Sequence, residues 1–564
     1  MPSLIENIVD RGANLTNAFA HTPICCPSRA TIVTGRYMHN TGAVNNGCGG
    51  EDFISGPERL NVAYYLKAKA GYTTSFAGKY LNNYGSTKLG GLARIPRGWD
   101  WWYGLKGNSK YYHYQVSRDG RQEDHGGDYA SDYFTDRISN RTARFIRHAT
   151  ALPDRERAPF FAMVSFPACH APNDPAPQYA TMYAHARAPR LPTWNQAPQL
   201  DKHDLLRHIA PMRQAEIDVS DVYFERRWSA LRSVDDNIRM LLELVSAVGE
   251  ADNTFWLYTT DHGYHLGEFG MLYDKRMLYE TDIRVPLYLS GPGVRPASRV
   301  DGPVSHADLA PTILALAGID ALQSAPHMDG RSWLPLVNGT SDGASGVHSR
   351  TASGGFAREP LRDTPWRHDF LIEYGGPVVA ADGSVVDQED DDEIFSLTDG
   401  ETLARGADPE MGWGEDGAVS HGRLDRGSQC YANLTTEQTE CKCSCLYRQP
   451  NGKIRQMNPC DSANNTYKCV RTVNATENSI YCEFDDPERF VEYYDIASDP
   501  FNAVNLAFNA TQAKLARRLY GLPPEAPLMV SSSLPAKLAW LHARLRDFME
   551  CSGAGCWDPK PTKP

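Results

Sequence analysis

Three short β-rich runs in the first 335 residues each give out onto polar or charged residues. GYTTSFAGKY ends in Gly78-Lys79, PFFAMVSFPACHAP ends at Pro167 and then offers His170, and NTFWLYTTDHGYH ends in Asp261-His262. Helical stretches alternate with them. The apolar stripe from Val222 to Val248 feeds the last run, and HADLAPTILALAGI reads as a further helix with Asp308 and Pro311 near its start. Strands alternating with helices predict an α/β domain built on a largely parallel sheet. Ligands of such sheets sit beyond the carboxyl ends of the strands. Lys79, His170 and Asp261 are therefore expected to face one site.

The chain has 564 residues, 41% of them apolar, enough for a full core and more than one domain. Its formal net charge of −12 argues against nucleic acid or an anionic membrane as a partner. It holds no run of about 18 apolar residues, so no membrane span is expected, and no leader is visible in MPSLIENIVDRGANLTNAFA. Nine of the thirteen cysteines lie after residue 429, at spacings that fit no zinc site. Disulfides in an oxidising compartment are expected instead. Seven N-x-S/T matches, at Asn14, Asn140, Asn338, Asn433, Asn464, Asn474 and Asn509, fit possible N-glycosylation in a secretory protein.

Composition shifts mark three parts: an α/β domain over 1–337, a Gly, Ser, Arg and Pro-rich linker over 338–369, and a cysteine-rich unit over 370–564. DFLIEYGG and RFVEYYDIASDP read as strands of the last unit, and PAKLAWLHARLRDFMEC as its closing helix. The acidic run at 388–395 reads as a solvated loop.

The stretch PICCPSRATIVTGRY carries a denser signal: Cys25, Pro27, Ser28, Arg29, Thr34 and Gly35 fit C-x-P-S-R-x4-T-G. Pro27 as the first residue of a helix would set unpaired backbone N–H groups near Cys25, and Arg29 adds a fixed cation. The pattern resembles the signature of the type I sulfatases. That resemblance implies an alkaline-phosphatase-like sulfatase fold, a mostly parallel central sheet flanked by helices with a smaller C-terminal α+β subdomain. It implies that Cys25 is oxidised to formylglycine (3-oxoalanine) by a formylglycine-generating enzyme. It also implies bound Ca2+, for which Asp261 and His262 in TTDHG match the family's metal-binding segment, beside the oxygen derived from Cys25. Lys79 in GKYLNNYG and Lys275 in YDKRMLYETDIRVPL match the two sulfate-contacting lysines, and His170 in ACHAP matches the histidine of the P-H-x-P segment. Cys25, Arg29, Lys79, His170 and Lys275 are the expected catalytic set. Setting Cys25 aside leaves twelve cysteines, an even number.

Within the family, GKYLNNYG, GWDWWYGLKGNSKYY, CVRTVNATENSIYCEFDD and ECSGAGC resemble the branch that removes 6-O-sulfate from glucosamine residues of glycosaminoglycans, and the related heparan endosulfatases. The latter carry a long basic insertion, where this chain is acidic and short before Cys430, so an exo-acting lysosomal or extracellular enzyme with a sulfated glycan substrate is implied. The aromatic group Trp99 to Tyr103 reads either as a sugar platform or as core. Two departures stand out. Where many members have Lys-x-His, this chain has Lys79-Tyr80-Leu81-Asn82-Asn83, which leaves His170, or more weakly His265, to contact the bridging oxygen. The family's first strand ends in an Asp-Asp pair, whereas Glu6 and Asp10 are the only acids before Cys25. The expectation is a truncated record of a hydrolase; the alternatives are an impaired, sulfatase-shaped sugar-binding protein, an endosulfatase or arylsulfatase, or a phosphonate hydrolase of the same superfamily.

Overall fold

The computed structural model describes residues 1–153, 156–196, 201–207, 209, 211–337, 348–350, 356–358, 366–376, 445–448, 454–457, 465–508 and 534–557. Expectations for Asn338, Asn433, Asn464, Asn509, the acidic run and Cys430, Cys441, Cys443 and Cys460 lie outside the described residues.

The α/β region carries two principal sheets. One holds five strands in the spatial order Arg121–Asp124, Gln115–Arg118, Trp101–Leu105, Thr73–Gly78, Phe160–Ser165. The other holds four, in the order Ser298–Val300, Gly12–Leu15, Leu287–Ser290, Trp256–Thr259. Thr73–Gly78 runs parallel to both its neighbours, and Gly12–Leu15 parallel to Ser298–Val300; the remaining pairings are antiparallel. The expected α/β sheet flanked by helices is present, with mixed rather than largely parallel strand directions.

Side chains alternate across the strands as the two-residue period requires. Phe160, Ala162 and Val164 pack with Ile146, Leu241 and Val245 of the helices Phe134–Ala149 and Gln214–Ala247. Phe161 turns the other way, toward Leu66 and Ile313 of the helices Val62–Ala70 and Leu309–Leu316. Trp256 shares the first of these faces, whereas Phe255 and Leu257 pack with Ile32 of the helix Cys25–Thr34. The two sheets thus share the same pair of helical layers. Phe160–Ser165 and Trp256–Thr259 are the edge strands of their sheets, and both line a cavity of about 680 Å³.

A second unit is wholly antiparallel, in the order Asp369–Tyr374, Tyr467–Val473, Asn478–Phe484, Val491–Asp495. One face buries Phe370, Ile372 and Tyr467 against Phe19 and Ile24, in the chain just ahead of Cys25, and against Met277. Its other face buries Leu371, Val470 and Tyr481 against Leu541, Leu545 and Phe548 of the closing helix Leu534–Met549. Disulfides join Cys26 to Cys48, Cys469 to Cys482 and Cys551 to Cys556. Neither Cys169 nor Cys25 is in a disulfide, so the even count was not a pairing rule.

The Trp99 to Tyr103 group belongs to the core. Trp102 is fully buried and stacks on Phe76 with a 4.7 Å centroid separation, its indole N–H donating to Tyr84 Oη at 2.6 Å. Burying a side chain of this size stabilises by about 3 kcal/mol, which outweighs any use as an exposed platform. Of the described glycosylation matches, Asn140 is exposed on its helix and Asn474 lies in a hairpin turn, whereas Asn14 sits half-buried mid-strand between Tyr288 and Arg299.

Candidate active site

Cys25 opens the helix Cys25–Thr34, preceded by Ile24 in extended conformation. Pro27 is its third residue rather than its first. The position is tolerated because the first four N–H groups of a helix have no partner within it. Cys26 is pinned from the side, by its disulfide to Cys48 and by its N–H donating to Asn46 Oδ1 at 3.2 Å. Gly35, at φ +67°, ends the helix in the left-handed turn that favours glycine. Cys25 itself is fully buried.

Lys79 follows the strand Thr73–Gly78 directly. Gly78 is required there: its φ is +125°, and a Cβ would fall 1.8 Å from the Ser165 carbonyl oxygen of the neighbouring strand. The Lys79 ammonium donates to Asn108 Oδ1 and to Ser109 Oγ, the latter at 2.8 Å. His170 follows the adjacent strand; its Nδ1–H donates to the Ala171 carbonyl at 2.9 Å, which leaves Nε2 as the ring's other face. Asp261 and His262 follow Trp256–Thr259. His262 donates from Nδ1 to the Gly263 carbonyl at 2.7 Å, and its Nε2 lies 3.5 Å from Cys25 Sγ. Arg29, one turn into the helix, donates to Asp261 Oδ2 at 2.8 Å and to Asn82 Oδ1. Lys275 sits buried on a loop, 3.3 Å from Asp274 Oδ1.

The electrostatics follow from that crowding. Burial by itself would raise the Asp261 pKa, but His262, Arg29, Lys79 and His170 together hold it well below the usual carboxylate range. Burial opposes the charge on His262, yet Asp261 and the contact to Cys25 raise its pKa. His306, buried behind Ser28, is driven down to about 3, chiefly by desolvation, and stays neutral. Its Nδ1 lies 3.0 Å from Ser28 Oγ, which in turn donates to the Asp261 carbonyl and ties the strand end to the Cys25 helix.

The structure therefore gathers Cys25, Arg29, Lys79, His170, Asp261 and His262 around one point, with Lys275 inside the electrostatic reach of His262. His265 is not part of it: its ring is committed to Asp282 at 3.0 Å. Asn82, His306, Asn108 and Ser109 escaped the sequence reading, because an isolated polar residue carries no pattern, and Ser28 was read only as a motif position. The cation lid of Arg227, 3.9 Å above the Tyr264 ring and donating to the Cys169 carbonyl, escaped it as well.

Cys25, Asp261 and His262 offer ligand atoms within 4.8 Å of one another. Calcium takes six to eight oxygen ligands. One carboxylate, an imidazole and a thiol do not make that set, and Arg29 already pairs with the carboxylate. Among the described residues the donors do not fit the ion.

The sulfatase family profile matches residues 1–319, more than half of the chain. The chain belongs to the sulfatase family. Among curated sulfatases, it is 35% identical to the N-acetylglucosamine-6-sulfatase of Homo sapiens over 557 residues, covering 98% of this chain and 81% of that protein. It is 38% identical to the extracellular sulfatase SULF-1 homolog of Drosophila melanogaster over 378 residues, which is 67% of this chain and 31% of that one. The fold of this sulfatase matches that of a protein solved with its substrate D-glucosamine-2-N,6-O-disulfate, at TM-score 0.57 and 20% identity, covering 92% and 91% of the two chains. It also matches a phosphonate monoester hydrolase from Silicibacter pomeroyi at TM-score 0.54 and 17% identity, over 92% and 88%. The alkaline-phosphatase-like sulfatase fold is thereby established.

Proposed function

We propose that this sulfatase hydrolyses the 6-O-sulfate of glucosamine or N-acetylglucosamine residues in glycosaminoglycans, with formylglycine at position 25 as the nucleophile. The observation that carries the reading is the meeting of Cys25 with Arg29, Lys79, His170 and His262 at the carboxyl ends of three strands. Its similarity to N-acetylglucosamine-6-sulfatases along nearly its whole length supports the sugar. The disulfides support a secretory route, to lysosome or extracellular space.

The buried Cys25 position at a helix start, beside an imidazole, suits the aldehyde derived from it. When present, that group supplies a hydrated carbonyl whose one hydroxyl attacks sulfur and whose other later expels sulfate. This chain's own residues do the rest. Lys79 and Lys275 are the cations that hold sulfate oxygens and offset the charge that builds in the transition state. His262 Nε2 lies within reach of the residue 25 side chain, and Asp261, against the opposing effect of burial, favours the protonated form of that imidazole. His170 Nε2 is assigned to the bridging oxygen, where it would give the leaving alcohol its proton. Arg29 orients Asp261 through its hydrogen bond to Oδ2.

Mass spectrometry of the Cys25 tryptic peptide tests the nucleophile, with a loss of about 18 Da relative to cysteine marking the aldehyde. Turnover of N-acetylglucosamine 6-sulfate, set against glucose 6-sulfate and a phenyl phosphonate, tests the substrate. A second reading, a sugar-binding protein that does not cut sulfate, is favoured by the shortfall of oxygen ligands. Aldehyde at residue 25 with no turnover at saturating calcium would select it.

A further inference from the structure

The ring of His265 lies outside the site, yet it ties two parts of the site together. His265 stands three residues after His262, beyond the strand Trp256–Thr259. Between them, the Gly263 and Tyr264 N–H groups donate to the carbonyls of Asp282 and Thr281 at 2.7 and 2.8 Å. His265 then pairs its backbone with Asp274, its N–H donating to the Asp274 carbonyl at 2.8 Å and its carbonyl accepting at 3.3 Å. Its Nδ1–H donates to both Asp282 carboxylate oxygens at 3.0 Å, and Asp282 Oδ2 accepts in turn from the Met277 N–H at 2.8 Å. Lys275 is thus held on both sides, through residue 274 by the His265 backbone and through residue 277 by the His265 side chain acting on Asp282.

That hold has strain to work against. Arg276, directly after Lys275, has φ +87°, a conformation that a non-glycine residue keeps only where its surroundings over-determine it. Its N–H donates to the carbonyl of Pro23, two residues ahead of Cys25, at 3.0 Å, and its own carbonyl accepts from Tyr467 Oη at 3.0 Å. His265 and Asp282 are both fully buried and pair with each other, so deleting the imidazole leaves a buried carboxylate uncompensated. His265 Nε2 is buried and meets no hydrogen-bond partner among the described residues, so the ring works through Nδ1 alone. We propose that His265 and Asp282 are positioning residues for Lys275, a role that rests on the reading of Lys275 as a cation for sulfate oxygens. The pair sets the loop 274–277 against the chain ahead of Cys25 and fixes the ammonium relative to His262, which the same segment carries.

The test compares His265→Ala, His265→Asn, His265→Gln and Asp282→Asn in the full chain, with Lys275→Ala alone and combined with His265→Ala. Asn places an amide N–H where Nδ1 stands, and Gln places one where Nε2 stands. Turnover of N-acetylglucosamine 6-sulfate should fall about a hundred-fold in His265→Ala, the cost of misplacing a reacting group by about 1 Å. His265→Gln should behave like His265→Ala, and His265→Asn should stay within about two-fold of the wild type. In the Lys275→Ala background, His265→Ala should cost no more than about a further two-fold, because the clamp then has nothing left to place. A merely structural histidine would cost the same factor in both backgrounds. Amide hydrogen exchange at Arg276 and Met277, with 369–374 as the reference, reads the clamp without turnover and should quicken at least about ten-fold in His265→Ala and in Asp282→Asn. The full cost in both backgrounds, rescue by Gln as complete as by Asn, or unchanged exchange at Arg276 and Met277 overturns the inference. If His265→Ala is not secreted folded, Asp282→Asn takes its place in each comparison. If the wild-type chain turns over no sulfate ester, the proposed activity fails, and exchange at Arg276 and Met277 alone decides the clamp.

Discussion

Glu373→Gln should destabilise the protein by an amount that depends on pH. Glu373 is fully buried on the first strand of the C-terminal sheet. Its Oε1 accepts from the His39 backbone N–H at 3.0 Å and from His39 Nδ1 at 2.9 Å, and lies 2.9 Å from His21 Nε2. Burial would raise the pKa of this carboxyl, but His21 and His39 hold it far below the usual range. Burial would lower that of His39, and Glu373 with the Cys551 carbonyl raises it. The signs give a window. The depressed carboxyl contributes stability above its unfolded pKa of about 4.3, lost as pH falls; the raised imidazole contributes below its unfolded pKa of about 6.5, lost as pH rises. Both contribute between roughly pH 4.5 and 6.5. A charge-assisted buried bond is worth about 1.5–3 kcal/mol and a neutral one about 0.5–1.5. Gln keeps an acceptor but buries an unpaired amide, so the loss should be about 3 kcal/mol at pH 5.5 and about 1 kcal/mol at pH 8.5. Urea unfolding followed by tryptophan fluorescence at the two pH values measures both. An equal loss at each would refute the charged pairing.

Other substitutions probe the site's framework. Gly78→Ala places a Cβ against the Ser165 carbonyl at positive φ; it should cost about 3 kcal/mol or more and abolish turnover by moving Lys79, as thermal melts and a sulfatase assay would show. Arg207→Met leaves Glu488 buried without its bidentate partner at 2.7 and 3.1 Å, so unfolding should come about 3 kcal/mol easier. Cys48→Ser opens a 22-residue separation to Cys26 and should lower stability by about 3 kcal/mol, with thiol labelling then finding Cys26. Lys79→Gln keeps a donor beside Asn108 but removes the charge; kcat should fall at least a hundred-fold with a folded protein by circular dichroism.

The strand ends and the Cys25 motif were legible because each is local: a β-rich run tells where it stops, and Cys25 to Gly35 is one contiguous pattern. Lys79 and His170 could be placed at one site before any contact was known, since parallel neighbours end on the same side, whereas Asp261 reaches that site from the other sheet, after a strand paired only antiparallel. Pairings across the chain were not legible. Nothing near His21 announces Glu373, 352 residues later, and nothing near Ser28 announces His306. The Trp99 to Tyr103 run left platform and core open because aromatic residues serve both, and only Phe76, Tyr80 and Tyr84 closing around Trp102 decided it. Cysteine parity failed at Cys169, whose carbonyl rather than its thiol is engaged by Arg227.

The pairing of Gly12–Leu15 with Leu287–Ser290 has a consequence in time. A ribosome adding about 5–20 residues per second reaches Leu289 roughly 14–55 s after Ala13. Throughout that interval the segment holding Cys25 has no sheet to join, and the Phe370 and Ile372 that will cover it arrive later still. Cys25, sealed in the finished protein, is thus open to solvent-borne reagents only while the chain is young, so under the proposed chemistry the clock of synthesis, rather than any opening of the native state, would govern how completely residue 25 is converted.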